Sequence, residues 1–332
     1  MSAERSDRAH RIVALTGGVG GAKLGLGLAQ LLGPDALRFV VNTGDDFEHL
    51  GLHISPDLDT LLYTLSDEAN PETGWGRRNE SWQFMDALRQ LDGEAWFNLG
   101  DRDLATHVTR THMLAAGSTL TEATAFLGAR MGIAHAMLPM SDDPVRTMVA
   151  TADGELAFQH YFVRERCAPA VTGFRFAGIE DARPSAAVTA ALTDPALTGI
   201  VICPSNPFVS VDPILSLPGM RALLAAAPCP IVAVSPIVGG MAIKGPTAKM
   251  MDELGVPRTA AAVARHYGDF LDGFLLDETD RDQRAAVGAL GPATDVAQSV
   301  MVTLPDRIAL ARSVLAFLDR LAEHPRPAAC DR

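Results

Sequence analysis

Residues 12–23 read IVALTGGVGGAK, and this stretch decides the fold. An apolar strand at residues 12–15 runs into a glycine-rich turn, and an apolar helix follows from about residue 22 to residue 32. A second apolar strand then ends at Asn42. Strand, glycine turn, helix and strand in this order are typical of the start of a parallel, doubly wound α/β sheet.

The rest of the chain divides by its pattern. Helical segments follow one another from about residue 79 to residue 131, and two β-rich runs then flank Ala152-Asp153-Gly154, which is a hairpin signal. Alternation of helices and strands returns from about residue 186. We therefore predict an α/β fold with a Rossmann-like core whose sheet is mainly parallel. The predicted parts are a core at 12–65 and 178–322, a helical and β-hairpin insertion covering the ligand site at 66–177, and a disordered tail at 323–332.

Composition excludes several classes of protein. The 332 residues are 48% hydrophobic and 20% charged, as expected for a globular chain with a sizeable core. The net charge of −12 disfavours nucleic-acid binding, which needs a positive surface. The four cysteines are scattered and predict neither a zinc site nor a disulfide framework. The polar N-terminus and the lack of a long apolar run predict no signal peptide, no membrane span and a cytoplasmic location.

The glycine turn predicts phosphate binding. Glycines let a backbone approach an anion closely, and a helix N-terminus offers unpaired N–H groups. The turn is not a Walker A motif, and Lys23 stands where the Rossmann fingerprint has its third glycine, which disfavours a nicotinamide oxidoreductase. A tight turn that needs glycine for geometry alone is the alternative.

Two acidic stretches, NTGDD at 42–46 and PDLDT at 56–60, follow the second strand. Carboxyl ends of parallel strands face the ligand crevice, and four acids there suggest a cation, because clustered like charges repel. Mg²⁺ takes one or two carboxylates plus phosphate oxygens, so we predict Asp45 and Asp59 as its ligands. Asp57 and Asp46 each have an equally open alternative to metal binding. Asp57 can cap the following helix, and Asp46 can be solvated.

Two further motifs carry aromatic and basic side chains. GWGRRNESW at 74–82 combines faces that stack on flat heterocycles with arginines that pair with phosphate. A tryptophan-anchored loop before a capped helix is the alternative. In LGDRDLATH at 99–107, Asp101 and Asp103 suit a helix start and His107 suits a satisfied helix position, but capping does not explain Arg102.

Weaker signals recur at the ends of later strands. PSNP at 204–207 offers hydroxyl and amide contacts for a nucleotide, and SPIVGG at 235–240 leads to Lys244. SDDP at 141–144 precedes the hairpin. Strand ends converge on one crevice, so these patches together strengthen the prediction of a nucleotide site.

Taken in order, GGVGGAK, VNTGDD, PDLDTLLYTL, GWGRRNESW, LGDRDLATH, LPMSDDPVRT, PSNP and SPIVGG…KGP resemble the 2-phospho-L-lactate transferase family (CofD/FbiA) of F-420 deazaflavin coenzyme biosynthesis. The resemblance covers residues 12–276. It implies a Rossmann-like homodimer that moves a phospho-three-carbon-acid group from a guanosine-diphospho donor to the terminal ribityl hydroxyl of the deazaflavin Fo. GMP leaves, and Mg²⁺ is the cofactor. The carried group can be phospholactyl, phosphoenolpyruvyl or phosphoglyceryl.

The resemblance also implies roles for residues. The family's magnesium ligands correspond to Asp45 and Asp59. In the predicted mechanism, either Asp46 or a water on the metal takes the proton of the acceptor. Beyond residue 280 the match weakens and nothing is transferred. Donor-binding residues are Gly18, Gly20, Gly21, Lys23, Ser205 and Asn206, to which we add Lys244. For the acceptor we expect contacts from Trp75, Arg77, Arg78, Asn79 and Arg102.

One rival is a related group that resembles the core but binds uridine-diphospho-sugars as a regulator, without transferase activity. We expect such a protein to lack the tryptophan–arginine segment at 74–82, which is present here.

Overall fold

The computed structural model describes residues 10–71 and 74–323. Its strands are β1 Ile12–Thr16, β2 Leu37–Val41, β3 Phe47–His49, β4 Leu52–Ile54, β5 Ala136–Pro139, β6 Arg146–Thr151, β7 Gly154–Ala157, β8 Val171–Ala177, β9 Gly199–Ile202, β10 Ile231–Val234, β11 Ile237–Val238, β12 Met241–Ala242, β13 Gly273–Asp277 and β14 Ala293–Ala297.

The α-helices are α1 Gly18–Ala29, α2 Pro56–Leu65, α3 Gln83–Gln90, α4 Asp101–Ala115, α5 Leu120–Arg130, α6 Ala186–Leu192, α7 Asp212–Leu215, α8 Met220–Ala225, α9 Thr247–Glu253, α10 Ala260–Tyr267, α11 Arg284–Gly288 and α12 Leu304–Glu323. Two π-helical turns lie at His160–Arg164 and Pro207–Val211, and a 3₁₀ turn lies at Glu278–Gln283. None of the described helices is both long and apolar enough to cross a lipid bilayer.

Seven strands form the central sheet in the order β14-β13-β10-β9-β1-β2-β5, and every neighbouring pair is parallel. Successive side chains of a strand point to opposite faces, so a strand covered on both faces is apolar throughout. In β1, Val13 and Leu15 enter the core on one face, while Ile12 and Ala14 enter the core on the other. The prediction of an α/β, doubly wound parallel sheet is confirmed.

The helices divide between the two faces. Helices α1, α2, α5 and α12 contribute apolar side chains to one core, and α6 to α11 contribute to the other. The chain therefore leaves β1 along one face toward β2 and reaches β9 along the opposite face. Ligands of open α/β sheets bind where the connections diverge in this way, outside the carboxyl ends of the strands. Here that position is the end of β1 beside the end of β9.

The segment predicted as an insertion contains helices α3 to α5 and a three-stranded antiparallel sheet in the order β7-β6-β8. The expected hairpin across Asp153 is confirmed by the pairing of β6 with β7. The predicted insertion at 66–177 is wrong in one respect: it includes β5, which pairs with β2 at the edge of the central sheet and so belongs to the core. The near-continuous apolar run of β5 is that of a short buried strand, which periodicity alone does not distinguish from a helix segment. Of the predicted tail, only Glu323 lies within the described residues.

Candidate active site

The glycine turn is held from both sides by polar side chains. The Gly17 N–H donates to Ser205 Oγ at 3.2 Å, and Ser205 Oγ donates to the Gly17 carbonyl at 2.8 Å. The Gly18 N–H donates to Asp57 Oδ1 at 2.7 Å. Ser205, which we predicted as a nucleotide contact, therefore joins the end of β1 to the end of β9. Asn206 accepts from the Phe208 N–H at 3.0 Å and begins the following π-helical turn.

Each predicted glycine has its own structural reason. Gly18 has a φ of +64°, and a Cβ there would meet only Ser210 Oγ at 3.9 Å. A Cβ on Gly20 would overlap the Pro204 carbonyl, and a Cβ on Gly21 would overlap Thr16 and Ser205. Close packing of α1 against the strand ends thus requires Gly20 and Gly21. Helix geometry leaves the N–H groups of Val19 and Gly20 without intrahelical acceptors, so these two are the amides that an anion can reach.

Three carboxylates lie together beside this turn. Asp45, Asp46 and Asp57 are all buried. Asp57 Oδ2 accepts from Asn42 Nδ2 at 2.9 Å, which leaves both of its oxygens bonded. Asp46 Oδ2 accepts from Ser55 Oγ at 2.8 Å and lies 3.0 Å from His53 Nε2. The Oδ1 atoms of Asp45 and Asp46 are buried with no hydrogen-bond partner.

The electrostatics of this cluster show an excess of negative charge. Burial, followed by the charge of Asp57, raises the pKa of Asp45 well above its usual value. Burial also raises the pKa of Asp57 to about 6, although hydrogen bonds from Asn42 and Gly18 oppose the shift. Like charges brought together out of water favour protonation or a bound cation. The cluster is therefore suited to bind a cation.

Magnesium fits these residues. Mg²⁺ prefers oxygen ligands and is commonly held by one or two carboxylates, with phosphate oxygens and water completing its shell. The unpartnered oxygens of Asp45 and Asp46 supply such ligands. Within residues 10–71 and 74–323, no three histidine, cysteine or acidic side chains are placed to hold a metal by themselves. A magnesium ion held by Asp45 and Asp46 would complete its shell with phosphate oxygens and water.

The structure places Asp59, the other predicted metal ligand, differently. Its two carboxylate oxygens pair with the guanidinium of Arg110, which is fully buried, and one of these contacts is 3.2 Å long. His107 lies 3.6 Å from Asp59 and 3.3 Å from Asp103. Asp103 also accepts a 2.5 Å hydrogen bond from the hydroxyl of Tyr63. The negative charge of Asp59 is therefore balanced by Arg110 in this structure. Metal binding by Asp59 stays a prediction.

The tryptophan–arginine segment contains a pair of tryptophans, one of which is exposed. Trp75 keeps 47% of its surface exposed and meets Trp82 edge-on, with ring centroids 6.3 Å apart. Asn79 is exposed, with a φ of +55°. Lys244, predicted on the donor side, lies directly against Gly74, so this segment touches the donor loop.

The three arginines predicted to bind the acceptor make contacts within the chain. Arg77 pairs with Glu68 and lies over the ring of Tyr63 at 5.6 Å. Arg78 donates to Asp67 Oδ1 at 2.6 Å. Arg102 donates to the Arg78 carbonyl at 2.9 Å. The side chains of Trp75 and Asn79, the other two predicted acceptor residues, are exposed.

Two capping residues exchange roles across this segment. Asp101 accepts from the Gln83 and Phe84 N–H groups and so caps α3, not its own helix as we predicted. Glu80 accepts from the Arg102 and Asp103 N–H groups at 2.7 and 2.8 Å and caps α4. This reciprocal pair ties the tryptophan–arginine segment to α4.

Sequence reasoning missed Arg110, His53 and Asn42. Arg110 had a signal, because Asp103, His107 and Arg110 follow at the spacing of one helix face. Asn42 was part of the NTGDD stretch, and its side chain binds Asp57, the Val209 carbonyl and the Gly44 N–H. No local pattern indicates His53, which reaches Asp46 only because β3 and β4 form a short hairpin.

The glycine turn and the buried carboxylates lie on an open, parallel α/β sheet. Such an arrangement is suited to a phosphate-bearing ligand and a cation. The chain matches the family described as 2-phospho-L-lactate transferase CofD over residues 12–301 and belongs to that family.

Curated relatives agree with this membership, and a solved structure shares the fold. The chain is 41% identical over 318 residues to a phosphoenolpyruvate transferase of Kitasatospora aureofaciens, covering 94% of this chain and 98% of the relative. It is 39% identical over 304 residues to a 2-phospho-L-lactate transferase of Methanosarcina mazei, covering 92% and 99%. A crystal structure of a UPF0052-family protein from Bacillus halodurans shares the fold, with a TM-score of 0.61 at 16% identity over 92% of this chain and 98% of that one.

Proposed function

We propose that this chain moves a phospho-three-carbon-acid group from a guanosine-diphospho donor to the terminal ribityl hydroxyl of the deazaflavin Fo and releases GMP. The observation that carries the proposal is the pair of unpartnered, buried oxygens on Asp45 and Asp46 beside the glycine turn. Membership of the CofD family and relatives named for phosphoenolpyruvate and 2-phospho-L-lactate transfer support the choice of group.

The donor lies with its diphosphate at the start of α1. Backbone N–H groups of Val19 and Gly20 and the dipole of the helix favour an anion there. Lys23 and Lys244 add positive charge around it. The guanosine extends toward the ends of β9 and β10, where Asn206 and the 235–240 loop lie. A net charge of −12 makes such local devices necessary, because the molecule as a whole repels anions.

Asp45 and Asp46 would hold Mg²⁺ through their unpartnered oxygens, and the ion would neutralise the diphosphate and the charge that develops on the leaving phosphate. The Fo hydroxyl oxygen attacks the phosphorus that bears the three-carbon acid. A new P–O bond forms there, and the bond from that phosphorus to the bridging oxygen breaks, so GMP leaves with both electrons. Because Asp46 Oδ1 would hold the cation and Oδ2 is bonded to Ser55 and His53, we assign the hydroxyl proton to a water molecule at the cluster. No covalent enzyme intermediate is needed.

The acceptor ring lies over Trp75. An exposed indole beside the crevice offers a flat apolar face for a tricyclic ring. The internal pairing of Arg77, Arg78 and Arg102 holds the loop in shape, so their part in acceptor binding is to position Trp75 and Asn79. We further propose that the enzyme acts as a homodimer in the cytoplasm.

The test is reconstitution from purified parts. The chain is incubated with Fo, Mg²⁺ and, in separate reactions, lactyl, enolpyruvyl and glyceryl guanosine-diphospho donors, and products are separated by liquid chromatography. We expect phosphorylated deazaflavin and GMP in a one-to-one ratio with one donor preferred. A chain that makes neither product from any donor, but binds a uridine-diphospho-sugar in calorimetry, is the regulator and not the transferase.

A further inference from the structure

The start of α12 lies along the same face of α1 as Lys23. Lys23 Nζ donates to the Met301 carbonyl at 2.8 Å. One helical turn further along α1, Gly27 packs so closely on α12 that a Cβ would overlap the Arg307 carbonyl. Residues i and i+4 of a helix share a face, so Arg307 stands beside Lys23. This contact comes from a part of the chain to which the sequence assigns no function.

Three cations, Lys23, Lys244 and Arg307, lie near one another at this place. Among the ion pairs of the described residues, none involves Lys23, Lys244 or Arg307. The neighbouring Asp306 accepts from the Val302 and Thr303 N–H groups at 3.1 and 2.7 Å and so stabilises the start of α12. Arg307 Nε is buried with no hydrogen-bond partner.

The electrostatics agree with this placement. Burial lowers the pKa of Lys23, and the charges of Arg307 and Lys244 lower it further. Burial also lowers the pKa of Arg307, although the charge of the neighbouring Asp306 opposes the shift. Partly buried like charges are unfavourable unless an anion joins them, and a guanidinium can bind two oxygens of one phosphate or carboxylate at once.

We propose that Arg307 completes, with Lys23 and Lys244, a subsite for an anionic oxygen group of the donor, which is a phosphate or the carboxylate of the three-carbon acid. This inference rests on the proposed function and extends it to the C-terminal helix. The subsite lies on the α1–α12 side of the crevice, near the loop at Gly74 through Lys244.

The test compares Arg307→Gln with Arg307→Lys and with Arg312→Gln, a control at an exposed arginine of the same helix. The packing of Gly27 uses the backbone of Arg307, so the fold should survive, as thermal unfolding will check. Calorimetry gives the Kd for GDP, which carries phosphates but no carboxylate. Steady-state kinetics give the KM of the guanosine-diphospho donor that the wild type uses.

Losing one hydrogen bond to a charged group should weaken binding about tenfold or more. If the Kd for GDP rises by this factor in Arg307→Gln, the anion is a phosphate. If only the KM of the donor rises, the anion is the carboxylate. In either case Arg307→Lys should recover part of the loss and Arg312→Gln should match the wild type. Equal binding of both ligands by Arg307→Gln and the wild type overturns the inference, whereas a wild type that binds neither GDP nor donor contradicts the proposed function itself.

Discussion

Asp57 and Gly18 join the two loops of the active site: the carboxylate accepts a 2.7 Å hydrogen bond from the glycine N–H at the first turn of α1. The other oxygen of Asp57 accepts from Asn42 at the end of β2. The glycine turn is therefore positioned by an acid that is itself a neighbour of Asp45 and Asp46. The proposed phosphate site and the proposed cation site are therefore held by the same hydrogen-bond network.

Replacing single glycines separates binding from packing. Gly18→Ala places a residue at a φ of +64°, with open space around its Cβ, so the chain should fold with a loss of about 1–2 kcal/mol. The methyl group then lies where the amides meet the diphosphate, and the Kd for GDP should rise about tenfold. Gly20→Val should instead destabilise the fold, because its side chain overlaps the Pro204 carbonyl.

Urea unfolding and calorimetry with GDP measure these two effects. Gly33→Ala is the control, since nothing lies within 4 Å of its Cβ and its φ is not positive. A stable Gly20→Val protein with weakened GDP binding would contradict the packing role and restore a direct contact of Gly20 with the ligand.

Asp59 and Arg110 provide a test of stability. Asp59→Asn removes the charge that balances a fully buried guanidinium, which typically costs about 3–5 kcal/mol. Asp86→Asn, which removes the exposed partner of Arg89, should cost at most about 1 kcal/mol. Chemical denaturation of both variants gives the free energies of unfolding. If Asp59→Asn keeps wild-type stability and loses activity only, Asp59 is a metal ligand and not the partner of Arg110.

Trp75→Ala should raise the KM for the acceptor Fo and leave the KM for the donor nearly unchanged. Stacking on an aromatic ring contributes about 0.5–1.5 kcal/mol beyond the burial of area, so the KM for Fo should rise about threefold to tenfold. The KM for the donor should stay within twofold. Phe126→Ala on α5 is the control, because that ring is exposed to a similar degree away from the crevice. A rise in the donor KM with no change for Fo places Trp75 on the donor side.

Deprotonation of Lys23 should weaken donor binding at alkaline pH. Burial and the charges of Arg307 and Lys244 lower the pKa of Lys23 below its usual 10.5, so this cation loses its proton earlier than an ordinary lysine as pH rises. The Kd for GDP should therefore increase with pH below 10.5. Lys23→Arg stays protonated and should lack that increase. A wild type and a Lys23→Arg variant with parallel pH profiles would exclude Lys23 from donor binding.

The sequence predicts the parts of the fold whose signals are local. The apolar run at 12–15, the glycine turn and the alternation after residue 186 predict the parallel sheet, because period and turn chemistry act over a few residues. The place of β5 at the sheet edge depends on pairing with β2, about a hundred residues away, and no local pattern carries it.

The candidate site, like the fold, could be predicted from the sequence only where its signals are local. NTGDD and PDLDT predict acids at the crevice, but the sequence does not show which carboxylates meet. Tertiary packing places Arg110 on Asp59, directs Asp57 to Gly18 and leaves oxygens of Asp45 and Asp46 without partners. Arg307 likewise reaches Lys23 only through the packing of α12 on α1.

In the proposed mechanism, Asp45 and Asp46 hold the magnesium on which transfer to Fo depends. The measurement is the turnover of wild type and Asp45→Asn with donor and Fo, first in EDTA and then across a Mg²⁺ titration. We predict no wild-type turnover in EDTA, full recovery with Mg²⁺, and a loss of at least about a hundredfold in kcat for Asp45→Asn at saturating Mg²⁺, the scale of losing one strong electrostatic stabiliser. Full wild-type turnover in EDTA, or an Asp45→Asn enzyme with unchanged kcat, would contradict the account.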